Sequence, residues 1–248
     1  MAGEGPQSAA DKTLNVLQAL AEHARVADIA AAAGLPKPTV HRILQTLVRH
    51  DFARSDGQGT YVCGPRVLSL AGRFLQRLDI AEQVRPILQD LQQHTGWTVH
   101  LALRSGDEAV YVAKLEGTKP YHLASRIGMS LGLHCTSIGK AILAALPDGE
   151  VRDLVARTGL PARTENTITD LPSLLAELAD VRARGYAEDH EENETGVRAV
   201  GAAVADHTGA VIGGLSTAAL VHLAPVVEDL PAQVSAAAEA VSKALGAH

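Results

Sequence analysis

Aromatic residues make up only 3% of the 248-residue chain, there are just two cysteines, and no uncharged apolar run approaches the length of a membrane span. Each scarcity removes a class of protein. Two cysteines exclude a disulfide framework and a Cys-x-x-Cys zinc site, and Cys63 and Cys135 fall in different expected domains, so both are expected as buried free thiols. Residues 1–8, MAGEGPQS, lack the basic-then-apolar layout of a signal peptide, which makes a cytoplasmic location the expectation. No G-x-G-x-x-G joins a strand to a helix, so no dinucleotide fingerprint is present. Positive charge is also short: 22 Lys/Arg stand against 28 Asp/Glu, a net charge of -6. What remains, 46% hydrophobic and 20% charged residues, is enough for one or two globular domains.

The charge deficit is uneven. Residues 1–79 net +2, and the remainder nets -8. A basic face is a local property, so the total is a poor guide to nucleic-acid binding. Within the basic part, GLPKPTVHRILQTLVRHDF (34–52) places Val40, Ile43, Leu44, Leu47 and Val48 at i, i+3, i+4, i+7 and i+8, one apolar stripe of a helix. Arg42, Gln45, Thr46 and Arg49 occupy the other side. Pro38 suits a first helical turn, and Thr39 puts a short polar side chain near the helix start.

Upstream, VADIAAAAGL reads as a short helix with Val26, Ile29, Ala30 and Ala33 inward, closed by Gly34. Two helices around a tight glycine turn form a helix-turn-helix, whose second helix would enter the major groove; the alternative is a helical hairpin in an ordinary α domain. The next stretch, FARSDGQGTYVCGP, has two strand-like runs around Asp56-Gly57-Gln58-Gly59, a hairpin placed as a wing, with Arg54 in reach of phosphate. Before these elements, AADKTLNVLQALAEH offers a helix with Leu14, Leu17, Leu20 and Ala21 as its core stripe. The expectation is a flexible tail at 1–10 and a winged helix-turn-helix at 11–62. A linker helix at 63–79 follows, with a wide apolar face that includes Val67, Ala71, Phe74 and Leu78, suited to burial against a second chain or the second domain.

Residues 80–248 mix both element types. Hairpins are expected around Ser105-Gly106-Asp107 and around Asp206 to Gly209, with helices at 81–95, 137–146, 149–158, 171–184 and 226–245. Antiparallel hairpins with helices outside make an α+β domain. His134 beside Cys135 is a poor catalytic pair, because neighbours on a strand face opposite ways. His134, His190, His207 and Asp189 offer no metal-ligand spacing. CTSIGKA opens a helix, so the N–H groups at 137–139 either hold an anion or are simply capped by Thr136 or Ser137.

The whole of GLPKPTVHRILQTLVRHDFARSDGQGTYVCGPRVLSLA resembles the DNA-binding domain of the IclR family of bacterial transcriptional regulators. SRIGMSLGLHCTSIGKAILAALP and NTITDLPSLLAELADVRARGYAEDHEENETGVRAVGAAVAD resemble that family's effector domain, in the family's order. The resemblance implies an α+β protein with a winged helix-turn-helix followed by a GAF-like effector-binding domain, acting as a regulator, expected to be a repressor, on a near-palindromic operator as a dimer or dimer of dimers. It implies no catalysis, no metal and no cofactor. Its other reading is a metabolite-binding protein or enzyme that has kept a vestigial helix-turn-helix. For DNA it points to Lys37, Thr39, His41, Arg42, Gln45, Arg49 and Arg54. For a small-molecule effector it points to Leu123, Leu131, Ser137, Ile138, Gly139, Asp189, Ala199, Ser216 and Ala218. Ala199 stands where relatives often carry cysteine, and Ala218 where a second serine is common. The expected ligand is therefore a small carboxylic acid with an apolar body and one donor group.

Overall fold

The computed structural model describes residues 8–70, 80–223, 227 and 229–247, and these fall into two compact units with the division after Leu78. In the first unit, Ser8 and Asp11 close a capping box, with the Ser8 Oγ accepting from the Asp11 N–H at 3.1 Å. Helix α1 (Ala9–Glu22) therefore begins two residues before the expected domain start, and residues 9 and 10 are helix instead of tail. Helix α2 (Val26–Ala32), a turn through Gly34 at φ 64°, and α3 (Lys37–Arg49) follow. A left-handed backbone at that turn suits a glycine.

The core of this unit is apolar throughout: Val16, Leu20, Ile29, Val40, Leu44, Leu47 and Ala53, closed by Tyr61. One expectation fails on α1. Leu17 and Leu20 pack in the core as expected, but Leu14 is 58% exposed and Ala21 is also exposed, because the helix turns Val16 and Ala19 inward in their place. Val16 lies about 200° round the helix from Leu14, so the expected stripe was right at Leu17 and Leu20 and left the buried face at Leu14 and Ala21. Strands β1 (Ala53–Ser55) and β2 (Tyr61–Cys63) form the wing, with Asp56 Oδ1 accepting from the N–H groups of Gln58 and Thr60 across the turn. Thr60 also bridges Arg25, fastening the wing to the entrance of α2. Cys63 is exposed, against the expectation of burial: it shares a strand face with the buried Tyr61 and its Sγ lies 4.0 Å from the Leu20 carbonyl oxygen, but it is the last residue of the strand, where the core no longer covers it. Gly64 leaves no space for a side chain, since a Cβ would lie 2.1 Å from the Asp51 carbonyl oxygen. Residues 65–70 are helical, so the expected linker helix begins after β2, while Ala71, Phe74 and Leu78 lie outside the described residues.

The second unit is a six-stranded antiparallel sheet. Its strands are β3 (Thr98–Ser105), β4 (Glu108–Leu115), β5 (Ser130–Leu131), β6 (Ala187–His190), β7 (Val197–Ala205) and β8 (Val211–Leu220), in the order β5-β4-β3-β8-β7-β6. The helix expected at 81–95 is broken at Val84 into α4 (Ile80–Gln83) and α5 (Arg85–Thr95). Pro86 accounts for this, since it has no N–H to bond back into the preceding turn. Helices α6 (Ser137–Ala144), α7 (Asp148–Thr158), α8 (Leu171–Arg184) and α9 (Leu230–Ala244) complete the unit, with α9 starting four residues later than expected.

Alternation along β3 assigns the two faces. Val99 and Leu101 join Leu88, Trp97, Val234 and Val241 in a core under α5 and α9. Ala102 joins Ile138, Ile142, Leu174 and Leu178 under α6 and α8 on the opposite face. Helix α6 can press directly on the sheet because the strands beneath it carry glycine. A Cβ on Gly201 would come within 2.9 Å of the Ser137 carbonyl carbon, and one on Gly214 within 3.0 Å of Ile138 Cγ2. No helix among the described residues is long and apolar enough to cross a membrane.

Candidate functional site

The first candidate surface is the outer side of α3. Burying Val40, Leu44 and Leu47 leaves Lys37, His41, Arg42, Gln45 and Arg49 exposed, with Arg54 exposed on β1. Thr39 is half-buried. Three of these side chains are already held. Gln45 Nε2 donates to the Tyr61 hydroxyl at 3.0 Å, and the His41 ring meets the edge of Tyr61 at 6.5 Å between centroids. Arg49 Nη2 donates to Thr46 Oγ1 at 3.1 Å. Lys37, Arg42 and Arg54 enter no ion pair among the described residues, so the surface presents unneutralised cations. Tyr61 is the residue that sequence reasoning missed. It packs in the core and ties wing to helix through its hydroxyl, and its only signal was its position as one of four tyrosines at the start of a strand.

The second candidate is a cleft on the α6 side of the sheet. Strand register builds it from two rows. Asp189 pairs with Ala199, Ala199 with Ala218 and Ala218 with Thr98; one step along, Gly201 pairs with Ser216, Ser216 with His100 and His100 with Lys114. Small side chains in the middle of each row leave a hollow between polar ends. The cleft is lined by His100, Tyr111, Leu123, Ser125, Thr136, Ser137, Asp189, Asn193, Glu194, Val197, Ala199, Ser216 and Ala218, and its volume is about 50 Å³. Leu123, Val197, Ala199 and Ala218 form its apolar patch.

Six of the nine expected effector residues thus converge: Leu123, Ser137, Asp189, Ala199, Ser216 and Ala218. Leu131, Ile138 and Gly139 do not line it. Leu131 and Ile138 are packed in the core behind α6, and Gly139 lies against the Leu133 backbone, where a Cβ would come within 2.4 Å. The Gly139 N–H is also taken, since it donates to Thr136 Oγ1 at 3.0 Å. Thr136 is therefore the N-cap of α6, and only the N–H groups of Ser137 and Ile138 remain at this helix start for an anion.

The electrostatics are unusual for a surface cleft. Burial pushes the Asp189 carboxyl up to about 6, although its Oδ1 accepts from the Glu192 N–H at 2.7 Å. Burial also pushes the Tyr111 hydroxyl up to about 12, and Asp189 adds to this. His100 is pulled down to about 3 by burial and by Lys114, so its ring is neutral. Lys114 Nζ donates to the carbonyls of Leu123 and Ser125 at 2.9 and 2.7 Å, fixing the segment that covers the cleft. Behind Asp189, the buried Lys140 ammonium lies 2.5 Å from Glu192 Oε1 and 3.3 Å from Glu177 Oε1. Lys140, His100, Tyr111 and Asn193 escaped the sequence reading, because only strand register and the fold of the 191–194 loop bring them together.

His134 and Cys135 make no nucleophilic pair. His134 bonds the Pro161 carbonyl through Nε2 at 3.1 Å, and burial pushes the Cys135 thiol up to about 11, away from the thiolate that chemistry needs. His190 is exposed at the outer edge of β6 and lines no part of this cleft.

Comparison with known proteins decides the family. Residues 9–57 match the IclR helix-turn-helix domain, and residues 72–243 match the C-terminal domain of the bacterial transcriptional regulator IclR. The chain belongs to the IclR family of bacterial transcriptional regulators. The regulator is 34% identical over 242 residues to the HTH-type transcriptional regulator XynR of Escherichia coli K12, covering 95% of this chain and 96% of that one. The crystal structure of IclR from Thermotoga maritima covers 96% of this chain and 98% of its own, with 31% identity and a TM-score of 0.72. An IclR homologue from Microbacterium hydrocarbonoxydans, solved in complex with 4-hydroxybenzoate, covers 96% of this chain and 99% of its own at 25% identity, with a TM-score of 0.78. The regulator accordingly combines a DNA-binding head with an effector-binding domain, and it responds to a ligand by altered DNA binding.

Proposed function

We propose that the regulator is a repressor that holds a near-palindromic operator as a dimer or dimer of dimers, and that a small hydroxylated carboxylic acid in the cleft changes its grip. The observation that carries this reading is the polarity of the cleft. The start of α6 at Thr136 and Ser137, a buried aspartate with a raised pKa, and the apolar side chains of Leu123, Val197, Ala199 and Ala218 line one cleft. N–H groups at a helix start suit a carboxylate, assisted by the helix dipole. Asp189, once ionised, accepts a hydrogen bond from a hydroxyl on the same molecule. That the Microbacterium homologue was solved with 4-hydroxybenzoate, an acid with an apolar body and one hydroxyl, supports the class. A cleft of about 50 Å³ must widen to admit such a molecule, and that widening gives the ligand different affinities for closed and open forms.

On the DNA side, Arg42 is the proposed reader, with Lys37, Thr39, His41 and Gln45 around it and Arg49 and Arg54 on phosphate. A head with a net charge of +2 binds weakly alone, which favours two heads on half-sites about one helical turn, or a multiple of it, apart. The test is fluorescence anisotropy on DNA from upstream of the regulator's own gene, with and without a panel of hydroxy acids, sugars and neutral apolar compounds. A response to hydroxy acids that disappears in Asp189→Ala, with ligand-free DNA affinity retained, is the expected result. A response to neutral compounds alone, or one that survives in Asp189→Ala, overturns the ligand assignment.

A further inference from the structure

His100 sits in the middle of the cleft wall, paired across the sheet with Ser216 and 98% shielded from solvent. Its Nε2 is 2.8 Å from Ser125 Oγ, and its ring stacks at a tilt against Tyr111 with centroids 4.9 Å apart. Its other nitrogen, Nδ1, has no hydrogen-bond partner. A buried polar atom left without a partner costs free energy, and cleft walls are where such an atom meets one supplied from outside.

The chemistry of that partner can be narrowed. The ring is neutral, so one nitrogen carries hydrogen and the other is bare, and the Ser125 hydroxyl can serve either arrangement. Nδ1 is therefore a donor or an acceptor, and a hydroxyl answers both. A ligand carboxylate would gain no ion pair from a neutral imidazole, and it would meet the Asp189 and Glu194 side chains in the same wall. An ammonium cannot serve the tautomer in which Nδ1 donates, and it would lie in the field of Lys114, whose charge already acts on the ring.

We infer that His100 is a specificity-determining residue that bonds, through Nδ1, a second hydroxyl of the effector, distinct from the one that faces Asp189. This rests on the reading of the cleft as a hydroxy-acid site. It narrows the ligand from a monohydroxy acid to one with at least two hydroxyls, and the preference between the two types comes from His100.

Calorimetry with matched probes tests it: 4-hydroxybenzoate against the dihydroxybenzoates that share its 4-hydroxyl, and 6-hydroxyhexanoate against gluconate, which shares its 6-hydroxyl. The wild-type regulator is expected to favour the more hydroxylated member of at least one pair by about tenfold or more. In His100→Phe that ratio falls to near one, whatever the change in affinity common to both members of a pair. His100→Gln, which keeps a donor and an acceptor on a side chain of similar reach, retains part of the ratio and guards against a His100→Phe protein that does not fold. Binding of the acids with no preference in the wild type, or a preference unaltered in both variants, overturns the His100 assignment alone. No binding by any acid overturns the hydroxy-acid reading, and the His100 assignment with it.

Discussion

The two units of the regulator are stabilised in different ways. The DNA-binding unit has an apolar core, with Tyr61 its single polar-tipped member, and among the described residues it buries no ionised group. The effector unit buries Lys140, Glu192, Asp189 and His100. Burying charge is a poor way to gain stability, because desolvation offsets most of the attraction within a pair. The head therefore looks built for persistence and the effector domain for response, with polar groups kept in a low-dielectric site where a ligand can address them.

The sharpest way to break this contrast is at Lys140. Lys140→Ala strands Glu192 and is expected to destabilise the effector unit by roughly 3 to 5 kcal/mol. Lys140→Met combined with Glu192→Leu should recover most of that, because a packed apolar pair of similar volume replaces the ions. Urea unfolding followed through Trp97, the only tryptophan and one that is buried in this unit, measures both. A single variant as stable as the wild type would remove the electrostatic half of the comparison.

Leu44→Ala does the corresponding damage in the head. It removes a fully buried side chain, an expected cost of about 2 to 5 kcal/mol. Operator binding should fail at temperatures where the parent binds, with the Trp97 signal at those temperatures unchanged. A shift in the Trp97 transition would mean that the two units do not unfold separately.

Asp189 makes the effector unit sensitive to pH. Its carboxyl titrates near 6 when folded and near the ordinary 3.8 when unfolded, so between these values the folded state holds a proton that the unfolded state has lost. The associated stability is complete below about pH 4 and is lost as pH rises through about 6, on the order of 3 kcal/mol in all. Asp189→Asn should flatten that part of the stability profile. Affinity for a hydroxy acid should move the other way and strengthen from pH 5 to 7 as Asp189 ionises. A wild-type profile parallel to that of Asp189→Asn would contradict the buried-acid assignment.

Smaller effects are expected on the outer face of α3. Arg42→Ala should weaken operator binding by about 1 to 3 kcal/mol if the guanidinium reads a base, with effector affinity unaffected. Equal loss on specific and random DNA would reassign Arg42 to phosphate. The least disruptive probe is a thiol reagent. It should label the exposed Cys63 and spare Cys135, whose thiol is buried and pushed up to about 11, and mass spectrometry of the labelled chain reports which was hit.

The two units also differ in how much of them was legible in the sequence. The head was readable because its information is local: one apolar stripe on α3, one glycine turn and one Asp-Gly turn specify it, and the errors were the exposure of Leu14 and Ala21 on α1 and of Cys63. The effector unit gave up its hairpins and most of its helices, but only part of its cleft. Asp189, Ala199, Ser216 and Ala218 came from family resemblance. His100, Tyr111 and Asn193 could not have been found by spacing, because strand register and a loop bring them together from segments up to about a hundred residues apart. Leu131, Ile138 and Gly139 fall outside the cleft because the resemblance named a segment, and only one side of that segment faces it.

The bare backbone under α6 limits how the binding site can change. Gly201 and Gly214 cannot gain a side chain without lifting the helix, so the floor beneath Ser137 is fixed by sterics. Ala199 and Ala218 face each other in the adjoining row and already carry a Cβ. New ligand preferences should therefore arise by enlarging or hydroxylating these two alanines, so that the regulator's evolvability is concentrated at two positions on neighbouring strands while its architecture stays constant.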